Sequence, residues 1–162
     1  LEGGERYVPV IEAIVHSSIP VVGHLGLTPQ SLHQFGGYRV QGRDAKSAEL
    51  LLSDAAALER AGCFAIVLEG IPWPLAGRVT ESLTIPTIGI GAGPRCSGQI
   101  LVVHDMLGIH EGSLPRFVKQ YGDVGARMRE AVEGYAREVR DGVFPGMAHS
   151  YDGGGKDPAP EQ

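Results

Sequence analysis

The chain has 162 residues and a formal net charge of −5, from 14 basic and 19 acidic side chains. This acidic balance argues against a nucleic-acid partner, because phosphate binding needs clustered Lys and Arg. No apolar run reaches the length of a membrane span, and Cys63 and Cys96 have no metal-type spacing, so we expect a reduced, cytoplasmic protein.

Four short runs of apolar, largely β-branched residues predict strands. Because the runs are apolar throughout rather than alternating, they are typical of parallel strands buried on both faces. In chain order they are Ile19–Gly23, Phe64–Leu68, Ile85–Ile90 and Ile100–Val103.

Helical patterns fill the segments between and after these strands. The predicted helices run from Val8 to about Val15, from a capping Asp44 to a terminating Gly62, from Leu75 to Leu83, and from behind Asp123 to Gly142. The remaining tail, residues 152–162, has nothing to bury and is predicted to be disordered.

Alternating strands and helices predict an α/β fold, which is either a doubly wound open sheet or a (β/α)8 TIM barrel. A complete barrel takes about 250 residues, and four strands are half of one. The chain also begins on Leu1 rather than on Met. We therefore expect residues 1–151 to form the C-terminal part of a single barrel domain whose N-terminal half is absent from this sequence.

Polar residues that follow the predicted strands are candidates for one site, because the carboxyl ends of parallel strands share one face. Glu69 follows five apolar residues and precedes Gly70, so its carboxylate is expected in partly apolar surroundings that suit a general acid or base. The alternative is a carboxylate that caps the next helix or pairs with an arginine.

His24 and Glu2 are two further candidates. A histidine after the first strand can donate to a substrate oxyanion or carboxylate, although a histidine bonded to the backbone is the competing interpretation. Glu2 can serve as a magnesium ligand, with Gly3 and Gly4 leaving room for a substrate, or it can be an ordinary solvated carboxylate.

Two other strand-end segments carry weaker signals. The glycine-rich turn Gly89–Gly93 can bind phosphate or let the backbone approach a substrate, but it lacks the full dinucleotide pattern. His104 and Asp105 follow the fourth predicted strand, where they either join the site or cap a helix.

Several strings of this sequence together resemble the ketopantoate hydroxymethyltransferase family, also called 3-methyl-2-oxobutanoate hydroxymethyltransferase. They are Gly23–Ser31, Phe35–Gly42, Val67–Glu69, Ile88–Gly93, Gly98–Asp105 and Phe144–Ser150. They follow in the family's order and at its spacing, and the resemblance covers the chain from Leu1 to about Tyr151.

The resemblance implies a Mg2+-binding (β/α)8 barrel that assembles as a homo-oligomer, often a decamer. Such an enzyme transfers a hydroxymethyl group from 5,10-methylenetetrahydrofolate to 3-methyl-2-oxobutanoate, giving 2-dehydropantoate. Glu69 matches the family's catalytic proton acceptor, Glu2 matches one of its metal-site carboxylates, and His24 matches a histidine near the substrate.

The family's substrate-binding lysine and two metal-site aspartates have no counterpart in this sequence. We therefore expect little activity from the chain alone. Two alternatives stay open: a half-barrel that acts only as a binding or assembly module, and a related Mg2+-dependent barrel that acts on α-keto acids by carbon–carbon bond chemistry without folate.

Overall fold

The computed structural model describes residues 1–28, 40–110 and 112–151. The chain divides into two compact units, the first formed by Leu1–Val102 and Pro115–Val118 and the second by Val103–Leu114 and Lys119–Gln162. The predicted tail at 152–162 lies outside the described residues, as do residues 29–39, which include parts of two strings that carry the family resemblance. No helix within the described ranges is long and apolar enough to cross a membrane.

The first unit is built on a four-stranded parallel sheet with the strand order β1-β2-β3-β4. The strands are β1 Val22–Gly26, β2 Ala65–Glu69, β3 Thr87–Ile90 and β4 Gly98–Gln99. Leu25 pairs with Leu68, and Leu68 pairs with Gly89. Sequential parallel strands with intervening helices are the repeating unit of a (β/α) barrel. The predicted fold class, a partial (β/α) barrel, is confirmed.

Among the described residues of this unit, three α-helices pack on the sheet: α1 Val8–His16, α2 Ala45–Arg60 and α3 Trp73–Ser82. The predicted start of α2 is confirmed, since the Asp44 carboxylate accepts the backbone N–H of Ser47 at 2.9 Å. Hydrogen bonds from the Ser47 hydroxyl and N–H lower the pKa of Asp44. The predicted stop at Gly62 is also confirmed, because its φ of +97° is a left-handed conformation that favours glycine.

The core of the first unit lies between the helices and one face of the sheet. Its fully buried large apolar side chains are Ile11 of α1, Leu58 of α2, Val79 of α3, and Ile66 and Leu68 of β2. Full burial of one such side chain contributes about 1.5–3 kcal/mol. The helices therefore hold the strands, and with them the strand ends, in a fixed arrangement.

The predicted strand limits need correction. The first three strands begin one to three residues later than the apolar runs, and β1 ends at Gly26 rather than at Gly23, so His24 lies within β1 rather than after it. The fourth run is wrong: β4 is Gly98–Gln99, and Val103 already begins a helix. Apolar composition cannot fix these limits, because a strand's extent is set by hydrogen bonds to its neighbour.

The described part of the second unit includes the α-helices α4 Val103–Met106 and α5 Val124–Arg140. The predicted cap of the last helix is confirmed, since Asp123 accepts the backbone N–H of Ala126 at 3.4 Å. The N–H of Val124 donates to the carbonyl of Leu107 at 2.9 Å, which joins α5 to the turn after α4.

Candidate active site

Successive side chains of a strand point to opposite faces of a sheet. In the first unit, the helices cover one face of the sheet more fully than the other. Residues that point toward the helices are buried, among them Gly23, Leu25, Ile66 and Leu68. Of the intervening residues, Ala65 is buried, and the others are only partly buried: Val22, His24, Gly26, Val67 and Glu69. Both His24 and Glu69 therefore lie on the face of the sheet that the helices leave open.

The segment that carries Glu2 lies beside β1, on the edge opposite β2. Glu2 forms a parallel bridge with His24, and the backbone N–H of Gly3 donates to the carbonyl of His24 at 3.0 Å. This pairing adds Glu2 to the same sheet as His24 and Glu69. The structure thus brings together all three residues that the sequence nominated most strongly.

The His24 imidazole lies between the two carboxylates. Its Nε2 is 3.1 Å from Oε2 of Glu69, and its Nδ1 is 3.6 Å from Oε1 of Glu2. The side chains of His24 and Glu69 are 17% and 16% exposed, and that of Glu2 is 28% exposed. In these partly desolvated surroundings, charges and dipoles act more strongly on a bound molecule than they would in water.

One atom of this row lacks a satisfactory partner. Nε2 of His24 is buried, and no group in the described part of the chain makes a well-aligned hydrogen bond to it. Glu69 is near enough, at 3.1 Å, but its oxygen lies off the hydrogen-bonding direction. A ligand oxygen that lies along the hydrogen-bonding direction of Nε2 would give this atom an aligned partner.

The backbone at Glu69 is held firmly at the end of β2. The carbonyl of Glu69 accepts the N–H of Leu27 at 2.8 Å, and the N–H of Gly70 donates to the carbonyl of Ile90 at 2.9 Å. Gly26 has a φ of +95°, and a Cβ placed there would overlap the Glu69 carbonyl oxygen. The sheet register thus fixes where the Glu69 side chain starts.

The Gly89–Gly93 segment is explained by packing. Gly89 and Ile90 belong to β3, and the turn follows at Gly91–Gly93. A Cβ on Gly91 would lie 2.7 Å from the Phe117 ring, and one on Gly93 would overlap the Trp73 side chain. Two aromatic side chains therefore occupy the space beside these glycines, and this close approach accounts for them without a phosphate.

His104 and Asp105 were predicted to follow the fourth strand, but they lie inside α4. The Asp105 carboxylate is 4.0 Å from Nδ1 of His110, which is half exposed.

A magnesium site needs oxygen ligands, since Mg2+ binds one or two carboxylates together with water and substrate oxygens. Glu2 offers one partly exposed carboxylate that suits this role. Across the described ranges, no cluster of three or more His, Cys, Asp or Glu side chains is arranged to hold a metal ion. Glu2 therefore fits as a single protein ligand of an incomplete set.

Sequence reasoning missed Asp54 of α2. Its Oδ1 accepts the backbone N–H of Glu5 at 2.8 Å, just after Glu2, and it lines a cleft of about 170 Å3 together with Gly3, Gly4 and His24. Asp54 lies in the middle of a helix, where no strand-end rule points to it. The available signal was the pair Gly3 and Gly4, which indicates that some group approaches the backbone closely.

Fold and site together define a βα-barrel type of protein, with a carboxylate–histidine–carboxylate row on the open face of its parallel sheet. A sequence model of the family described as ketopantoate hydroxymethyltransferase matches residues 1–147. The chain therefore belongs to the ketopantoate hydroxymethyltransferase family.

Individual relatives support the same assignment. The chain is 61% identical over 151 residues to the 3-methyl-2-oxobutanoate hydroxymethyltransferase of Geotalea uraniireducens, covering 93% of this chain and 57% of the relative. It is 54% identical to the protein of that name from Syntrophobacter fumaroxidans and 56% identical to that from Heliobacterium modesticaldum, again over 93% of the chain. The chain spans about half the length of the curated relatives that it matches.

Proposed function

We propose that the protein transfers a hydroxymethyl group from 5,10-methylenetetrahydrofolate to 3-methyl-2-oxobutanoate, forming 2-dehydropantoate for pantothenate and coenzyme A biosynthesis. The observation that carries this proposal is the row of Glu2, His24 and Glu69 on one open sheet face. Family membership and relatives named 3-methyl-2-oxobutanoate hydroxymethyltransferase support it further.

Glu69 is the proposed proton acceptor. Its carboxylate is largely shielded from water and its backbone is fixed by the register with β1 and β3. It takes the proton from the carbon next to the keto group, and the resulting carbanion forms a carbon–carbon bond with the methylene carbon of the folate. The bonds from that carbon to the two folate nitrogens break, water supplies the oxygen of the new hydroxyl group, and tetrahydrofolate leaves. A positioned general base of this kind contributes about 10²–10⁴-fold to the rate.

His24 is the proposed substrate-binding residue. A ring nitrogen that carries a proton can donate to an oxygen of the keto acid, and Nε2 is the buried atom that lacks an aligned partner. The same ring separates Glu2 from Glu69, so it also keeps the two carboxylates from direct contact.

Glu2 would hold the magnesium ion, with the other oxygen donors coming from substrate, water and groups beyond the described residues. When bound, the metal supplies Lewis-acid polarisation of the keto acid, which makes the adjacent proton more acidic. Gly3 and Gly4 line the neighbouring cleft.

The proposed setting is a cytoplasmic homo-oligomer, which in the family that the sequence resembles is often a decamer. Both cysteines, Cys63 and Cys96, are free thiols, which is consistent with a reducing compartment. These two proposals concern the environment of the protein and leave the chemistry at Glu69 unchanged.

The test is an assay of the chain as given beside the same chain extended upstream to its nearest in-frame methionine. Formation of 2-dehydropantoate from 3-methyl-2-oxobutanoate and 5,10-methylenetetrahydrofolate is followed with and without Mg2+. We expect Mg2+-dependent activity in the extended chain, and a loss of about 10²–10⁴-fold in kcat for Glu69→Gln.

A matched control is Glu81→Gln, because Glu81 is an exposed carboxylate on α3. This variant should keep the activity of its parent. A folded, extended chain that produces no 2-dehydropantoate would refute the transferase and favour a binding module or a barrel that works without folate. Full activity in Glu69→Gln would refute the role of Glu69.

A further inference from the structure

The carboxylate of Asp54 reaches from α2 to the segment that carries Glu2. Its Oδ1 accepts the backbone N–H of Glu5 at 2.8 Å, at the start of the short 3-10 turn Glu5–Tyr7. Neighbouring residues of α2 are anchored in the core, since Leu51 is buried and Ala55 and Leu58 are fully buried. Asp54 is therefore attached to a well-packed helix while it contacts a surface segment.

Gly4 shows how close this contact is. A Cβ built on Gly4 would overlap all three terminal atoms of the Asp54 side chain. Only a glycine lets the backbone lie against the carboxylate at this distance. The two residues thus form one packed unit, although they belong to different elements.

The main chain just after Glu2 has two attachments. On the strand side, the N–H of Gly3 donates to the carbonyl of His24 at 3.0 Å. On the helix side, Asp54 holds Glu5. The main chain on the C-terminal side of Glu2 is therefore held by both β1 and α2, which restricts where its carboxylate can be placed.

We propose that Asp54 is a positioning residue that sets the place of the Glu2 carboxylate beside His24. It acts through the backbone at Gly4 and Glu5 and does not itself contact the reacting atoms. This inference rests on the proposed function in one respect, which is that Glu2 is taken to hold Mg2+.

Loss of the acceptor at Asp54 leaves the Glu5 N–H without its partner and frees the segment on one side. Removal of an outer group that orients a metal ligand commonly weakens metal affinity by about 10- to 100-fold. Asparagine keeps an acceptor oxygen in the same place but carries no charge. Comparison of alanine with asparagine therefore separates a hydrogen-bonded positioning role from a direct charge effect.

The experiment measures binding of Mg2+ alone by isothermal titration calorimetry in the upstream-extended chain. Asp54→Ala should weaken binding about 10- to 100-fold, and Asp54→Asn should restore most of it. Asp141→Ala, at an exposed aspartate after α5, serves as the control. Circular dichroism verifies that each variant is folded.

Gly4→Ala tests the same contact from the other side, and it keeps the proposal falsifiable if Asp54→Ala fails to fold. The added methyl group should weaken Mg2+ binding, and the double variant Gly4→Ala with Asp54→Ala should bind no more weakly than Asp54→Ala alone. Independent, additive losses would overturn the proposed contact.

Three results separate the possible failures. Unchanged affinity in Asp54→Ala overturns the inference, and so does an equal loss in Asp54→Asn, which would make the charge itself the important property. A wild-type chain that binds no Mg2+ overturns both the inference and the metal role of Glu2. Mg2+ binding without formation of 2-dehydropantoate overturns only the proposed reaction.

Discussion

Gly26 at the end of β1 offers the sharpest test of how the sheet holds Glu69. Its φ is +95°, and a Cβ there would overlap the Glu69 carbonyl oxygen and lie 2.7 Å from a methyl carbon of Ile71. The left-handed backbone costs about 1–2 kcal/mol for a residue with a Cβ. Forced overlap with packed neighbours costs about 1–3 kcal/mol more. We therefore expect Gly26→Ala to lower the free energy of unfolding by about 2–5 kcal/mol.

A matched control isolates the contribution of the contact. Gly62 has nearly the same φ, +97°, but a Cβ there would meet only the Val15 side chain, at 3.0 Å. Both alanine variants are compared with wild type by urea unfolding followed by circular dichroism. Gly26→Ala should be less stable than Gly62→Ala by about 1–3 kcal/mol. Equal stabilities would show that the Glu69 carbonyl yields readily, and the account of a fixed Glu69 backbone would be wrong.

Three more predictions concern stability and reactivity in the first unit. Ile66→Ala, at a fully buried position on β2, should lower the free energy of unfolding by about 2–5 kcal/mol, and a loss below about 1 kcal/mol in urea unfolding would contradict the core assignment. The pKa of Glu59 is lowered because the hydroxyl and backbone N–H of Thr84 donate to its carboxylate. A carboxyl group whose pKa is lower in the folded state stabilises the fold at pH values above its pKa in the unfolded chain, and this stabilisation is lost as the pH falls. The stability advantage of wild type over Glu59→Gln should therefore shrink as the pH falls below 4.5, and a constant difference would refute the interaction. Burial raises the pKa of the Cys63 thiol, so iodoacetamide should alkylate Cys63 more slowly than Cys96 at neutral pH, whereas equal rates by mass spectrometry would disprove its burial.

Much of the first unit could be predicted from local sequence signals. Asp44 and Gly62 mark the ends of α2 because capping and left-handed glycines depend on a few neighbouring residues. Uniformly apolar runs predicted buried parallel strands, and three of the four overlap a strand, with limits that differ by up to three residues. The strand-end rule placed Glu69 just after the second strand, and in the structure Glu69 is the last residue of β2.

Pairing between strands decided what local signals could not. The run Ile100–Val103 has strand-like composition, yet β3 pairs with Gly98–Gln99 instead. His24 lies within β1 because its neighbour β2 continues to Glu69 and supplies hydrogen bonds that far. Such limits depend on a second strand that is distant along the chain, so a single segment does not contain the information.

The sequence by itself determined the type of fold and the three residues of the candidate site. Tertiary structure decided that the His24 ring lies between Glu2 and Glu69, and that Asp54 of α2 holds the segment after Glu2. The physical reason is range: caps and periodicity are fixed by residues a few positions apart. A carboxylate in mid-helix reaches Glu5 only after the helix and sheet have packed together.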